Sequence, residues 1–409
     1  MDADIALATL TSLLDLDEFE VVESTSNRRE KLRRFTLAPQ TTVGLCPHCH
    51  GVTDERHACH DRRIADLPIS GQRVELIARL WQFHCPACDQ FFTPRFAALA
   101  EGSHATERLL ERLAELASHS DVATAARFLC LAEKTAEGWY YAYLERKQKE
   151  PAADLQPVKS LGIDELSLKK KHRQFCCVLI DHTNGRVLDV LECREKQAVV
   201  EWLKAGKESG LLSDLQEVTC DMWDAYAQAP REVFGEAVRI TIDRFHVMKN
   251  FQERLNDARR EIQKTLDKEQ AKALKGSRWL WVTNVENLRV EQVAELEKLK
   301  RKFPELGRLA DHREALRRIF EDQRLTAPEA AMGRLRDWCR RGVEMNLKAL
   351  VQFNKTLENW MERIANYFVS RSSNGRTEGF NRGLRAILWR ACGMRNFGHF
   401  RLRVLHLFG

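Results

Sequence analysis

A multidomain α/β protein is predicted by three features of the 409-residue sequence. Two CxxC pairs stand in its first quarter, a tract of helical periodicity follows them, and a strand meander then gives way to alternating helix and strand. A chain of this length exceeds one ordinary core and implies two or three domains of roughly 100–200 residues each. Apolar residues make up 44% and charged residues 30%, which excludes the low-hydrophobicity class of disordered chains.

Residues 1–40 form an N-terminal segment with no motif beyond a basic cluster, Arg28, Arg29, Lys31, Arg33 and Arg34. Cys46-Pro-His-Cys49 and Cys85-Pro-Ala-Cys88 follow, separated by thirty-five residues rich in turn and strand formers. Each CxxC lets two thiolates from one tight knuckle reach the same ion, and two knuckles complete a closed four-sulfur site. This predicts a zinc ribbon over 41–100 with a structural Zn2+ held by Cys46, Cys49, Cys85 and Cys88. A deaminase-type catalytic zinc would need His-x-Glu upstream of a CxxC, and the sole such triplet, His312-Arg-Glu314, lies far downstream. His48, His50, His57, Cys59, His60 and His84 crowd the same stretch and are read as surface residues.

From Ala105 the periodicity is helical. Leu109, Leu110, Leu113 and Leu116 form one apolar face, Asp121 opens a second helix through Ala125 and Ala126, and a third carries Trp139, Tyr140, Tyr143 and Leu144. Three helices with a short second turn predict a helix-turn-helix over 104–148, whose last helix enters a DNA major groove.

A polar linker from Glu150 to Pro157 ends this tract. Val158–Ile163 then runs up to Asp164, Gln174–Ile180 is the next apolar run, and Arg186–Leu191 follows a turn at Asn184-Gly185. A helix with Val199, Val200, Trp202 and Leu203 precedes a strand ending at Asp221, and another strand ends at Asp243. That order is the one expected for a ribonuclease-H-like sheet, in which the first and fourth strands are neighbours. Asp164 and Asp221 would then meet at one sheet end. Glu378, in the first turn of a later helix, could complete a site for two hard, oxygen-seeking cations, Mg2+ or Mn2+, about 3.5–4 Å apart. Asp224 is a rival to Asp221, and Asp243 with His246 is read as a pair behind the ligands or touching substrate. The interval between Asp221 and Glu378 holds several charged amphipathic helices, which predicts an all-α insertion over 265–345. The sheet domain is thereby divided into 158–264 and 346–409.

Net charge is only +6, but the basic residues cluster. Lys169, Lys170 and Lys171 sit in one group, and the tail from Arg371 holds eight arginines and one acid, Glu378. A solvated face mixes signs, so this bias points to phosphate contacts, with Arg376, Arg382 and Arg385 on the turns around Glu378 meeting double-stranded DNA. The acidic start of the chain lacks a secretory signal and no apolar run approaches membrane length, so a cytoplasmic, membrane-free setting is expected. There, regularly spaced cysteines imply metal rather than disulfides.

Taken together, CPHC, CPAC, GIDE, CDMWDAY, TIDRFHVMKN (241–250) and SNGRTEGFNRGLR (373–385) resemble the DDE transposases of bacterial insertion sequences, specifically the ISL-three family, over nearly the whole chain. The resemblance implies a zinc-finger-like module, a helix-turn-helix and a ribonuclease-H-like catalytic domain with an insertion. Its catalytic triad maps to Asp164, Asp221 and Glu378. It also implies binding to terminal inverted repeats, then metal-dependent strand cleavage and strand transfer into target DNA at the bacterial nucleoid. A homodimer is expected because two DNA ends are joined in concert. The alternatives are a non-catalytic repressor derived from a transposase and a stand-alone nuclease or resolvase of the same fold.

Overall fold

A computed structural model describes residues 2–150, 156–169, 174–372, 375–391, 394 and 396–409. The chain divides into two units, one of residues 1–151 and 386–407, the other of 152–385 and 408–409.

In the first unit, α1 (Asp2–Leu14) precedes β1 (Phe19–Asn27) and β2 (Leu32–Pro39), an antiparallel pair. The short β3 (Gly44–Leu45) and β4 (Val52–Thr53) flank the first CxxC, and β5 (Arg56–Ile69), β6 (Gln72–Cys85) and β7 (Gln90–Phe92) complete the strands. The sheet order is β1-β2-β6-β5, with β7 on β6; β2 and β6 run parallel and the remaining pairs antiparallel. Its core forms because alternate positions of β6, Val74, Leu76, Ala78 and Leu80, face Phe19, Phe35, Leu37 and Ile64. The segment before residue 41, to which the sequence reading assigns no strand, thus supplies two of these strands.

Helices α2 (Glu107–His119), α3 (Val122–Phe128) and α4 (Glu133–Lys149) follow. The first two begin where Thr106 and Asp121 accept hydrogen bonds from the amides of Leu109 and Thr124. Leu109, Leu110, Leu113, Ala125, Ala126, Tyr140 and Leu144 make their core, joined by Leu402 from the tail.

The second unit opens with β8 (Ser160–Lys169), β9 (Gln174–Asp181) and β10 (Arg186–Leu191), then α5 (Lys196–Glu208), β11 (Glu217–Cys220), α6 (Asp224–Phe234), β12 (Arg239–Ile242) and α7 (Arg244–Thr265). Strand order is β10-β9-β8-β11-β12, antiparallel through the first three and parallel from β8 to β12. An all-helical stretch comes next: α8 (Lys268–Leu274), α9 (Arg278–Val282), α10 (Val290–Lys302), α11 (Pro304–Glu321) and α12 (Pro328–Glu344). It continues with α13 (Lys348–Asn359), α14 (Met361–Ala365), α15 (Tyr367–Ser370) and α16 (Gly375–Arg390). One buried cluster runs from Ile163, Val218 and Ile242 of the sheet through Phe251 of α7 to Leu316, Trp338 and Phe353, so these helices share the sheet's core. Among the described residues no helix is long and apolar enough to cross a membrane.

The division of the chain falls within α16, and α17 (Phe397–Phe408) belongs to the first unit up to Leu407, although the sequence reading assigns 346–409 to one catalytic domain. The physical reason is burial. Arg403 is 3% exposed, donating to the carbonyl of Ala117 (2.5 Å) and the hydroxyl of Tyr140 (3.2 Å), both beside Leu402.

Gly162 in β8 is required by close approach: a Cβ there would fall far inside contact distance of Nε2 of His182, the atom that contacts Thr219 Oγ1 at 3.0 Å. Gly162→Ala is therefore expected to cost about 1–3 kcal/mol through overpacking, seen as a melting midpoint lower by about 2–10 °C. An unchanged midpoint would mean that His182 swings aside at no cost.

Candidate functional site

The parallel register of β8 and β11 pairs Ser160 with Glu217 and Ile163 with Cys220. The next residue on each side is an aspartate, so Asp164 and Asp221 leave neighbouring strands at the same sheet end. Asp164 is 7% exposed. Its Oδ1 accepts the amide of Glu165 at 2.7 Å, and its Oδ2 accepts Nδ2 of Asn381, from α16, at 2.6 Å. One strand further on, β12 delivers Asp243, which caps α7 by accepting the amide of Phe245 at 3.1 Å. That cap aims the first turn of α7 so that His246 Nε2 lies 2.6 Å from Asp221 Oδ1. Asp164, Asp221 and His246 can each place a ligand atom within 4.8 Å of the others.

These side chains line a cavity of about 620 Å³ together with Asp243, Glu378, Asn381 and Arg385. Glu378 is exposed and stands outside the 4.8 Å group, but lies one turn before Asn381 on the same helix face. Arg385 is exposed at the cavity, Arg382 is exposed and does not line it, and Asp224 is exposed at the start of α6, also away from it. The side chains of Lys169 and Arg376, and the whole of Lys170 and Lys171, lie outside the described residues.

Burial, and secondly the negative charge of Asp221, push the Asp164 carboxyl up to about 6. Burial opposes protonation of His246, but contact with Asp221 and the charges of Asp221, Asp164 and Asp243 outweigh it and raise the imidazole. Two acidic oxygens held this close are strained when ionised unless a cation shares them, either the protonated His246 imidazole or a metal ion. The donor set fits a hard divalent ion.

Several groups that matter here escaped the sequence reading. Asn381 lies within the EGFN run, and its i+3 spacing from Glu378 was the available signal. Glu217, 3% exposed, accepts hydroxyls from Thr241 (2.5 Å), Ser370 (2.7 Å) and Ser372 (2.6 Å). Between those serines Arg371, in the left-handed region (φ 55°), donates to the carbonyls of Phe320, Asp322 and Leu325 at 2.6–2.8 Å. The segment leading to α16 is thus tied both to the sheet and to the end of α11.

In the first unit the four sulfurs of Cys46, Cys49, Cys85 and Cys88 lie within 4.8 Å of one another, with Cys46–Cys88 at 3.6 Å and Cys49–Cys85 at 3.5 Å. Sulfurs about 2.3 Å from a common tetrahedral centre stand about 3.8 Å apart, so the spacing fits a closed zinc site. The knuckles are alike: His50 (φ 59°) and Asp89 (φ 52°) follow each pair in the left-handed region and donate amides back to Cys46 and Cys85. His84 is engaged elsewhere, between Glu55 (2.9 Å) and Asp89 (2.8 Å).

A family model described as a transposase, of the ISL3 type, matches residues 161–404, and one described as the zinc finger of the IS204/IS1001/IS1096/IS1165 transposases matches 42–88. The chain is similar to the transposase for insertion sequence element IS1001 of Bordetella parapertussis, 27% identical over 90% of this chain and 89% of that one. It also resembles the transposase for IS1557 of Mycobacterium tuberculosis, 29% identical over 40% of this chain and 41% of the relative.

Purified protein is expected to carry about one zinc per chain, and Cys46→Ser with Cys85→Ser to lose it, by metal analysis. Undiminished zinc in the double variant would place the metal elsewhere.

Proposed function

The chain belongs to the ISL3 family of transposases, and from that membership we propose that it binds the terminal inverted repeats of an insertion sequence and catalyses DNA strand cleavage and strand transfer. The observation that carries this reading is the meeting of Asp164 and Asp221 at one sheet end, with Asn381 from the Glu378 helix hydrogen-bonded to Asp164. The strand order, three antiparallel strands continued by two parallel ones, supports a ribonuclease-H-like catalytic domain. Helices α2 to α4 support a helix-turn-helix whose third member enters the major groove.

Asp164, Asp221 and Glu378 are the acidic ligands, and Asp221 is preferred to Asp224 because only the former lines the cavity. Mg2+ or Mn2+, when bound, activates the attacking oxygen and offsets charge on the leaving one. Asn381 anchors Oδ2 of Asp164, and His246 holds Oδ1 of Asp221. Arg385 at the cavity meets a backbone phosphate of the DNA. The reaction proceeds without a covalent link between enzyme and DNA: water, then a DNA 3′-hydroxyl, is the nucleophile. Joining two ends in concert calls for a homodimer working on the chromosome in the cytoplasm. The structural zinc stiffens the ribbon that accompanies the helix-turn-helix.

A repressor that had lost chemistry would gain nothing from a buried acid beside another acid, because the pair costs stability and repels DNA. Asp164→Asn, Asp221→Asn and Glu378→Gln are each expected to slow cleavage and strand transfer on the order of 10³-fold or more, since metal-held charge supplies several kcal/mol. DNA affinity should persist or rise. If all three variants still cut, the reading of the acids fails; if Asp224→Asn is inactive and Asp221→Asn active, the second ligand is displaced along the chain.

A further inference from the structure

The basic cluster near the N-terminus is not absorbed by the catalytic reading, and the fold sorts its members. Asn27 ends β1 and pairs with Leu32 of β2, so residues 28–31 form the hairpin tip. That tip is built rigidly: Asn27 Oδ1 accepts the amides of Arg29 (3.1 Å) and Glu30 (3.2 Å), and Lys31 takes a left-handed conformation (φ 49°). Arg34 is consumed by an ion pair with Glu75, and Arg33 Nε is held by Gln72 Oε1 at 3.2 Å. Arg28, Arg29 and Lys31 remain exposed and have no ion pair among the described residues. A concavity of about 720 Å³ beside them is lined by Ser26, Asn27, Arg28, Arg29, Arg33 and Gln72, without an acidic side chain. Glu30 is the one acid of the tip itself.

The neighbours of this tip supply the second observation. Exposed Arg73 faces Leu32 across the β2/β6 register and donates its amide to the carbonyl of Lys31 at 2.9 Å. Gly71, two residues earlier, offers its carbonyl to Sγ of Cys130 at 3.7 Å. Cys130 lies in the turn between α3 and α4, just before the N-terminus of α4. Hairpin tip, β5–β6 turn and α3–α4 turn therefore meet at one end of the first unit.

We propose that the β1–β2 hairpin, through Arg28, Arg29 and Lys31 with Arg33 beside them, is a second docking element for duplex DNA, gripping backbone phosphates next to the groove that α4 enters. This rests on the transposase reading, which supplies the DNA and the role of α4. Phosphate is the partner that the chemistry selects. The tip combines cations with neutral donors, the amides of Asn27 and Gln72 and the Ser26 hydroxyl, and arginine pairs with phosphate in a two-point fork. Such contacts carry no sequence information and set register on the duplex.

The test is salt-dependent binding of the full chain to a random-sequence duplex, by fluorescence anisotropy, with the triple variant Arg28→Ala, Arg29→Ala, Lys31→Ala. Each lost phosphate contact reduces the slope of log K against log salt by about 0.9, so a drop of about 2.7 is expected, with affinity lower by on the order of tenfold or more. Zinc content and melting should not change, because these side chains are exposed and form no ion pair among the described residues. Arg28→Lys with Arg29→Lys should restore most of the slope. An unaltered slope in the triple variant overturns the proposal, as does an equal loss on neutralising Lys298, Arg301 and Lys302, exposed on α10, which would reveal bulk charge and no docking element. If the unsubstituted chain fails to bind duplex at all, the transposase reading falls and this proposal with it.

Discussion

The parallel pairing of Ile163 with Cys220 is the constraint on which the second unit depends. It places two aspartates side by side at one sheet end, where burial and mutual repulsion raise Asp164. A slip of one residue would turn one of the pair to the opposite face, and either Asn381 or His246 would lose its target. The same register sets Glu217 opposite both Ser160 and Arg239, at the far end of β11. From there its carboxylate gathers the hydroxyls of Thr241, Ser370 and Ser372. One strand thus presents Asp221 at one end and, at the other, holds the chain that leads into the helix of Glu378.

The all-helical stretch participates in this arrangement and is not a detachable appendage. Its Leu316 and Trp338 belong to the same core as Ile163 and Val218, and Arg313 and Arg317 of α11 line the cavity of the acids. Both arginines are occupied: Arg313 by Glu314 and Asn284, Arg317 by Glu286, Glu314 and Glu321. They balance one wall of the cavity internally, whereas Arg385 on the Glu378 helix shows no ion pair among the described residues. Arg371, anchored on the carbonyls at the end of α11, couples that wall to the start of α16.

What could be read from sequence was what is encoded locally. The CxxC knuckles need only a tight turn, and the apolar runs ending at Asp164, Asp221 and Asp243 announce strands whose ends carry acids; all three strands are present and all three acids line one cavity. Strands β1 and β2 were illegible because Glu20, Glu23, Ser24 and the arginines around Phe35 dilute the apolar alternation, and β2's parallel partner lies some forty residues later. The membership of 386–407 in the first unit was illegible for a different reason. It depends on a buried guanidinium, Arg403, meeting a carbonyl almost three hundred residues away, and nothing near Arg403 distinguishes it from its neighbours.

A basic tail is therefore not uniformly a phosphate-facing surface. Sign imbalance suggests that the arginines from Arg371 onward all face phosphate, yet Arg371 and Arg403 are turned inward to backbone carbonyls. A guanidinium can cap carbonyls left open at a helix end as readily as it can clasp phosphate, because both present oxygens within reach of its planar donors. The two uses differ only in burial. Arg403 is 3% exposed, while Arg382 and Arg385 are open to solvent on the helix of Glu378. Charge counts along a sequence thus overstate a nucleic-acid surface by whatever number of arginines the fold consumes, and the same correction removes Arg34 from the hairpin and leaves its tip exposed.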